Sequence, residues 1–400
     1  MPADLPHDVI YEILVWLPVK PLLRFRCVSK SWYSIINSRE FIYSHLHTSS
    51  INGLHRKLIL PCRTFPHYVR RLKLFRTIDI NDGFREEFLH NFQMHDIPLK
   101  YTANCNGLVL FYLSDFIFSV WNPSTRHYRQ LPDFPIKNHQ SYEPNYSFGL
   151  GYDSTIDDYK VVFIIFAKPY YQVWIFELKS SCWRRIQDFS CIEFNKIEEA
   201  IDDNCFVDGC LHFLCYGNGR ELYTIVSFDV AKETFAVISQ PMKQRQGYYP
   251  RLGVFEGCLS ISFFMYKNID FYVRKKEGVE FSWIKLFSFA SKEFNPVDFR
   301  ALGYSKGGDK VLFLCSTDMF SYDLKDGCIR EIEITNSYVD SEAIFCTESL
   351  VSVPERRRTH ECEEEKRRMN EFERYRRRLH KLDKASKKVS AKRSSCWYTI

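Results

Sequence analysis

From about Lys57 to Val353 the chain repeats one pattern, in which strand-length apolar runs alternate with polar turns. Trp121, Phe176, Phe228, Tyr272 and Tyr322 each close such a run just before a turn, at separations of 55, 52, 44 and 50 residues. An apolar residue returns seven positions later at Tyr128, Trp183, Phe235 and Ile329; after Tyr272 the turn is longer and the return falls at Trp283. Strand starts of the form Gly-then-apolar stand upstream, at Gly107-Leu108-Val109, Gly209-Cys210-Leu211 and Gly257-Cys258-Leu259. A period near fifty residues with about four short strands per unit is the mark of a β-propeller. One four-stranded unit leaves its apolar faces uncovered, and a ring of such units covers them while leaving only short edges. Five units lie between Asn104 and about Thr335; a sixth is assembled from residues 57–80 and 343–353, so that both ends of the chain close the ring. The expectation is a mainly β chain with about six blades. A β-sandwich or two smaller β-domains compete with it, because the spacing is irregular and only Gly307-Gly308 forms a Gly pair.

The first forty-odd residues follow a different rule. Leu5, Val9, Ile10, Ile13, Leu14 and Leu17 recur at helical spacing, and Pro18 and Pro21 cut the run. Further apolar sets follow at Leu22, Leu23, Phe25, Cys27 and Val28, then at Trp32, Ile35 and Ile36. Three or four brief helices of this kind carry more apolar surface than they can bury among themselves, which points to a docking module. Residues 47–56 are short and polar and read as a linker; residues 354–400 form a charged, partly helical tail with acid-first i,i+4 pairs at Glu363/Arg367, Glu364/Arg368 and Glu373/Arg377. The expected organisation is therefore a helical module (1–46), a linker (47–56), a β-domain (57–353) and a basic tail (354–400).

Two segments resemble a known family. The string Leu5-Pro6-x-Asp8-Val9, Glu12-Ile13-Leu14, Leu17-Pro18-Val19-Lys20 and Leu22-Leu23-Arg24-Phe25-Arg26-Cys27-Val28-Ser29-Lys30-Ser31-Trp32 resembles the F-box of plant F-box proteins, with Trp16 departing from its usual polar residue. WNPSTRHYRQLP, FGLGYDSTIDDYKVV, ELKSSCWRRI and SFDVAKETF resemble the F-box-associated, kelch-like propeller of the same family, including its S-locus-F-box-like group. The resemblance implies a small all-α F-box that binds a Skp-type adaptor, and through it a cullin scaffold, in a ubiquitin ligase. It implies that Leu5, Pro6, Val9, Ile13, Leu14, Leu17, Pro18, Leu22, Val28 and Trp32 make the adaptor-binding module, some facing the partner and some holding the helices together. The propeller would then bind a target protein; neither that target nor the residues that hold it are named by the resemblance.

Composition narrows the alternatives. Of the 55 Lys/Arg and 49 Asp/Glu, the tail holds 16 and 8, so a tail of +8 follows a body of −2. A neutral body disfavours nucleic acid as a partner. The longest strongly apolar stretch, 161–167, is too short to span a membrane, and Asp4, Asp8 and Glu12 oppose a secretion signal, so a cytoplasmic or nuclear location is expected. The fourteen cysteines are scattered singly and read as buried free thiols. Cys205, Cys210, His212 and Cys215 split between two strand faces, a poor chelate, so no metal or other cofactor is expected. Asp157-Asp158 and Asp202-Asp203 read as solvated turn formers, and Cys182 and Cys191 have no histidine nearby, so no catalytic residue is assigned. Tyr170-Tyr171 and Tyr248-Tyr249 are placed between strands, where they either anchor a partner or pack loops on blades.

The leading reading is a non-catalytic substrate receptor of a ubiquitin ligase. The alternative is a propeller lectin or enzyme with an accessory helical module, which needs converging His, Asp or Tyr side chains that the sequence does not assemble. A third reading, nucleic-acid association through the tail, is opposed by the neutral body.

Overall fold

A computed structural model describes residues 5–62, 73–79, 85–92, 99–113, 117–135, 145–167, 170–186, 199–217, 222–242, 249–265, 268–278, 280–290, 299–305, 308–315, 318–332 and 344–354. The basic tail beyond Pro354 lies outside the described residues, as does most of the Lys306-Gly307-Gly308 turn.

Four helices come first: α1 (His7–Leu14), α2 (Val19–Phe25), α3 (Lys30–Asn37) and α4 (Arg39–Ile51). Pro6 and Pro18 stand at the N-caps of α1 and α2, where a missing N–H costs nothing. Ser29 and Ser38 cap α3 and α4, their hydroxyls accepting from the N–H groups of Trp32 and Phe41 at 3.1 and 3.2 Å. The first half of the stretch expected as a linker is helical. α4 runs to Ile51, a left-handed turn at Gly53 follows, and the first strand begins at Arg56.

Among the described residues, twenty-four strands then form six four-stranded antiparallel sheets. Five are each made from one continuous stretch, numbered here from the centre of the ring outward except where the chain closes it. They are β4 (Leu99–Cys105), β5 (Leu108–Leu113), β6 (Phe118–Asn122) and β7 (His127–Gln130); β8 (Asn145–Asp153), β9 (Asp158–Ala167), β10 (Tyr170–Glu177) and β11 (Cys182–Arg185); β12 (Glu199–Val207), β13 (Cys210–Gly217), β14 (Leu222–Asp229) and β15 (Thr234–Ile238); β16 (Tyr249–Phe255), β17 (Cys258–Met265), β18 (Asn268–Glu277) and β19 (Glu280–Ala290); and β20 (Arg300–Tyr304), β21 (Lys310–Cys315), β22 (Asp318–Asp323) and β23 (Ile329–Ile332). The remaining sheet is composite: β1 (Arg56–Cys62), β2 (Lys73–Asp79) and β3 (Arg85–Phe92) come from the N-terminal side, and β24 (Ile344–Thr347) pairs with β1 from the C-terminal side. The chain is thus a mainly β propeller carrying a small helical module.

The sheets stack face to face through large side chains. Phe118, Phe134, Phe148, Phe163 and Trp183 fill the first seam, with ring centroids 4.9–5.6 Å apart. Phe213 and Phe228 meet Val162, Ile164 and Ile175 in the next, and Phe271, Phe287, Phe289 and Phe313 fill the seam between β16–β19 and β20–β23. Leu58 of β1 packs on Leu302, Leu312 and Met319, joining the composite sheet to its neighbour.

The seven-residue spacing has a simple cause. Trp121 faces Tyr128, Phe176 faces Trp183, Phe228 faces Phe235 and Tyr322 faces Ile329, each pair directly across the outer hairpin of its sheet. The expected Tyr272–Trp283 pairing does not form. The hairpin runs on unbroken to Glu277 opposite Glu280, which places Tyr272 opposite Lys285 and Trp283 opposite Arg274; only beyond Tyr272 does a register shift follow, with Phe271 opposite Phe287, and β18–β19 form the longest hairpin of the described residues. The Gly-then-apolar starts are two-residue turns at Asn106-Gly107, Asp208-Gly209 and Glu256-Gly257, with both residues at positive φ.

Three other expectations shift. Cys105, Cys205, Cys215, Cys315 and Cys346 are buried and free, whereas Cys27 and Cys328 are exposed and Cys182 is disulfide-bonded, so the all-thiol reading fails at that residue. Asp158 opens β9 and is buried, its carboxylate accepting from the N–H groups of Tyr159 and Lys179, so it is no solvated turn former; Asp202 and Asp203 fall in β12. Tyr170 and Tyr171 belong to β10 and Tyr249 to β16, and Tyr171 is buried in the seam with Phe166; Tyr248 lies outside the described residues.

Candidate docking surface

The helical module divides its apolar residues into two sets. Leu14, Val19, Leu22, Ile36 and Phe41 are completely buried and form its core, with Leu17 and Trp32 packed partly against them. Tyr11 meets Phe41 and Phe25 meets Trp32 edge to face, at 5.3 and 5.4 Å between centroids. Leu5, Val9, Ile13 and Val28 stay outside at 59, 42, 52 and 58% exposure, and Pro6 and Pro18 are exposed as well. Of the ten residues assigned to adaptor binding, six therefore face solvent, Leu17 and Trp32 are half-buried, and Leu14 and Leu22 are internal. Two exposed aromatics escaped the sequence reading: Trp16, 51% exposed, and Tyr33, 57% exposed. Trp16 continues the Leu5, Val9, Ile13 spacing and was available as a signal; it was passed over as a departure from the motif. Large apolar side chains held outward together on a small module mark a contact surface.

The module is seated on the propeller at several points. Glu348, immediately after β24, accepts the Val19 N–H through Oε2 at 3.0 Å and pairs with Lys57 Nζ through Oε1 at 3.0 Å. Leu350 inserts into the helical core itself. His45 and His55 donate through Nε2 to the carbonyls of Leu17 and Trp16, at 2.8 and 3.1 Å, and their rings stack 5.9 Å apart. Burial lowers the pKa of His45, partly offset by the Leu17 hydrogen bond, which favours the neutral ring. On the far side Asp157 accepts from the hydroxyls of Tyr43 and Tyr152 at 3.0 and 2.7 Å and pairs with Arg39 and Lys179. Burial pushes its carboxyl up, but hydrogen bonds from Tyr152, Lys179 and Tyr43 outweigh it and hold the pKa below the usual range.

These contacts all fall on one side of the ring. Asp157 sits in the turn between β8 and β9, and Glu348 and His55 sit where β24 ends and β1 begins. Since neighbouring strands are antiparallel, in each sheet the first strand ends and the second begins on that side, as the third ends and the fourth begins, whereas the second strand ends and the third begins on the other. Among the described residues no group of His, Cys, Asp and Glu side chains is arranged to hold a metal, and Cys205 pairs across from His212 while Cys210 stands at the strand start. No helix of the described residues is long and apolar enough to cross a membrane.

A helical docking module fused to a β-propeller defines an adapter class of protein, one hand for a partner and one for a ligand. Residues 3–44 match the F-box domain and residues 73–356 match the F-box associated beta propeller domain, so the chain belongs to the F-box proteins that carry this propeller. Among Arabidopsis thaliana proteins it is 28% identical to F-box protein CPR1 over 87% of this chain and 89% of that protein. It is 26% identical to an F-box/kelch-repeat protein of the same plant, over 82% of this chain and 93% of the relative.

Proposed function

We propose that this chain is the substrate-recognition subunit of a Skp–cullin–F-box ubiquitin ligase. The observation that carries the proposal is the split of the F-box apolar residues, with a closed core behind an outward row of Leu5, Val9, Ile13 and Trp16. That row docks the Skp-type adaptor, with Pro6, Pro18, Val28 and Tyr33 beside it. Leu14, Leu17, Leu22 and Trp32 shape the module from within. The target binds on the opposite side of the ring, where the second strands end and the third begin, because the F-box occupies the near side. Loops on a rigid scaffold are where recognition concentrates. The chain contributes no catalytic group; it raises the local concentration of target lysines beside the ubiquitin thioester. Such a ligase would work in the cytoplasm, the nucleus or both.

The test is co-purification with a Skp-type adaptor, comparing wild type with the Val9→Asp, Ile13→Asp double variant. Both side chains are exposed, so the variant is expected to fold and melt as wild type does while losing adaptor capture. Failure of wild type to capture adaptor, or equal capture by the variant, overturns the reading.

A further inference from the structure

The segment 344–354 has two tasks. As β24 it closes the ring, pairing Cys346 with Lys57 and Phe345 with Leu58, and the ladder continues as the Glu348 N–H donates to the His55 carbonyl at 2.9 Å. Asn104 holds the Phe345 carbonyl at 3.0 Å, and the Asn122 amide donates to the carbonyls of Ser349 and Val351 at 2.9 and 2.7 Å. Beyond β24 the same strap becomes the floor of the F-box. Glu348, its side chain 9% exposed, supplies the carboxylate that receives the first N–H of α2, a helix whose N-cap Pro18 has no side-chain acceptor to offer.

We infer that Glu348 is the positioning residue of this protein, capping α2 from the propeller's closing strap and so fixing the F-box in one orientation on the ring. The inference rests on the ligase reading for its purpose, since a fixed offset between adaptor and target decides which lysines are reached. Its geometry does not depend on that reading. The ion pair with Lys57, itself in β1, holds the carboxylate on the ring, so it has no freedom to follow a rocking F-box: tilting the module breaks the charge-assisted hydrogen bond that caps α2. Nothing in Glu348 touches the outward row of Leu5, Val9, Ile13 and Trp16, so its loss alters where the adaptor is held and leaves the docking surface itself in place.

The full-length chain tests this with two readouts, amide exchange at Val19 and the distance between spin labels attached through non-natural amino acids at Lys30 and Lys232. Wild type is expected to give a slow Val19 amide and one narrow distance. Glu348→Ala is expected to speed Val19 exchange roughly 10- to 100-fold, the loss of one charge-assisted hydrogen bond, and to broaden the distance distribution, with adaptor capture retained. Should Glu348→Ala unfold the propeller, Glu348→Gln decides: it keeps the shape and one acceptor oxygen, so about a fivefold rise in exchange is expected, with the narrow distance largely restored. Unchanged exchange and an unchanged distance in the variant that folds overturn the inference. Wild type failing to capture adaptor while both readouts behave as expected sinks the ligase reading and leaves the positioning role standing.

Discussion

Leu350 stands 329 residues beyond Pro21 in sequence and yet lies 2% exposed among Leu14, Val19, Leu22, Ile36 and Phe41. Truncating it to alanine removes three carbons from the F-box core through a residue of the propeller strap. Large-to-small changes at such positions cost about 2–5 kcal/mol, and a value near 3 kcal/mol is reasonable where one side of the site is a rigid strap that relaxes poorly. At about 1.4 kcal/mol per tenfold, the opening equilibrium of the four helices rises by roughly a hundredfold. Hydrogen exchange read by peptide mass spectrometry is the assay. Peptides from α1 to α4 are expected to lose protection, while those from β12 to β19, remote from the strap, keep theirs. Met319→Ala serves as the contrast: it opens a cavity of similar size between β20–β23 and the composite sheet, and loosens those strands without reaching the helices. A Leu350→Ala protein whose helices exchange as in wild type, or whose whole chain loosens evenly, would refute the claim that the strap completes the F-box core.

Three further outcomes follow from the geometry. Gly107 and Gly209 share a φ of +76°, but a Cβ on Gly107 would meet Ser349 Cβ at 2.4 Å and the Thr347 carbonyl at 2.7 Å, whereas one on Gly209 meets nothing within 4 Å. Gly209→Ala is therefore expected to cost only about 1 kcal/mol of backbone strain and Gly107→Ala clearly more, and equal denaturation midpoints would exclude the strap contact as the cause. His212 is buried, with no hydrogen-bond partner at Nδ1 in the structure, and burial lowers its pKa to about 4 from the ordinary 6.5. The unfolded chain then binds the extra proton, so this contribution, at most about 3 kcal/mol, is complete above pH 6.5 and is lost as pH falls toward 4; His212→Gln is expected to flatten the urea-midpoint slope between pH 7 and 4.5, and an unaltered slope counts against it. Asp157→Ala removes the acceptor shared by Tyr43 and Tyr152 and the partner of Arg39 and Lys179, and is expected to cost about 1–2 kcal/mol, read as faster exchange in α4; a change confined to β8–β9 would show that the residue serves the blade alone.

The propeller was legible in the sequence because its signals are local. A cross-strand pair such as Trp121–Tyr128 is separated by one four-residue turn, and an Asn106-Gly107 turn announces itself in two residues. The reading failed where the same element was altered by something nonlocal. At Tyr272 the hairpin continues to Glu277 opposite Glu280 and so sets Lys285 as the partner, and no spacing rule distinguishes a longer turn from a longer hairpin. Likewise the polar composition of 47–56 reads as a linker, because the reasons α4 persists are distant: Leu46 packs into the first seam of the propeller, and His45 reaches back to the Leu17 carbonyl. In sequence Asp157 and Asp158 both read as turn formers; the structure ties Asp157 to Tyr43 and Tyr152 and brings the Lys179 N–H to Asp158 through the β10–β11 turn.

The same distinction governs the F-box. The sequence reading has some of its apolar residues facing a partner and some holding the helices together, and the structure adds a third owner, the propeller. Ile42 and Leu46 are covered by the propeller, and Leu14, Val19 and Leu22 by one another and by Leu350, all within the one chain. What remains outside is the narrower set of Leu5, Val9, Ile13, Trp16, Val28 and Tyr33. A helical module that needs a leucine and a carboxylate from the far end of the chain to finish its core and cap its second helix is not a bead on a string. Its order depends on ring closure, because β24 must pair with β1 before Glu348 and Leu350 are in place. An incompletely closed propeller would therefore leave the F-box core open at Leu350 and α2 uncapped, tying the order of the helical module to the integrity of the ring.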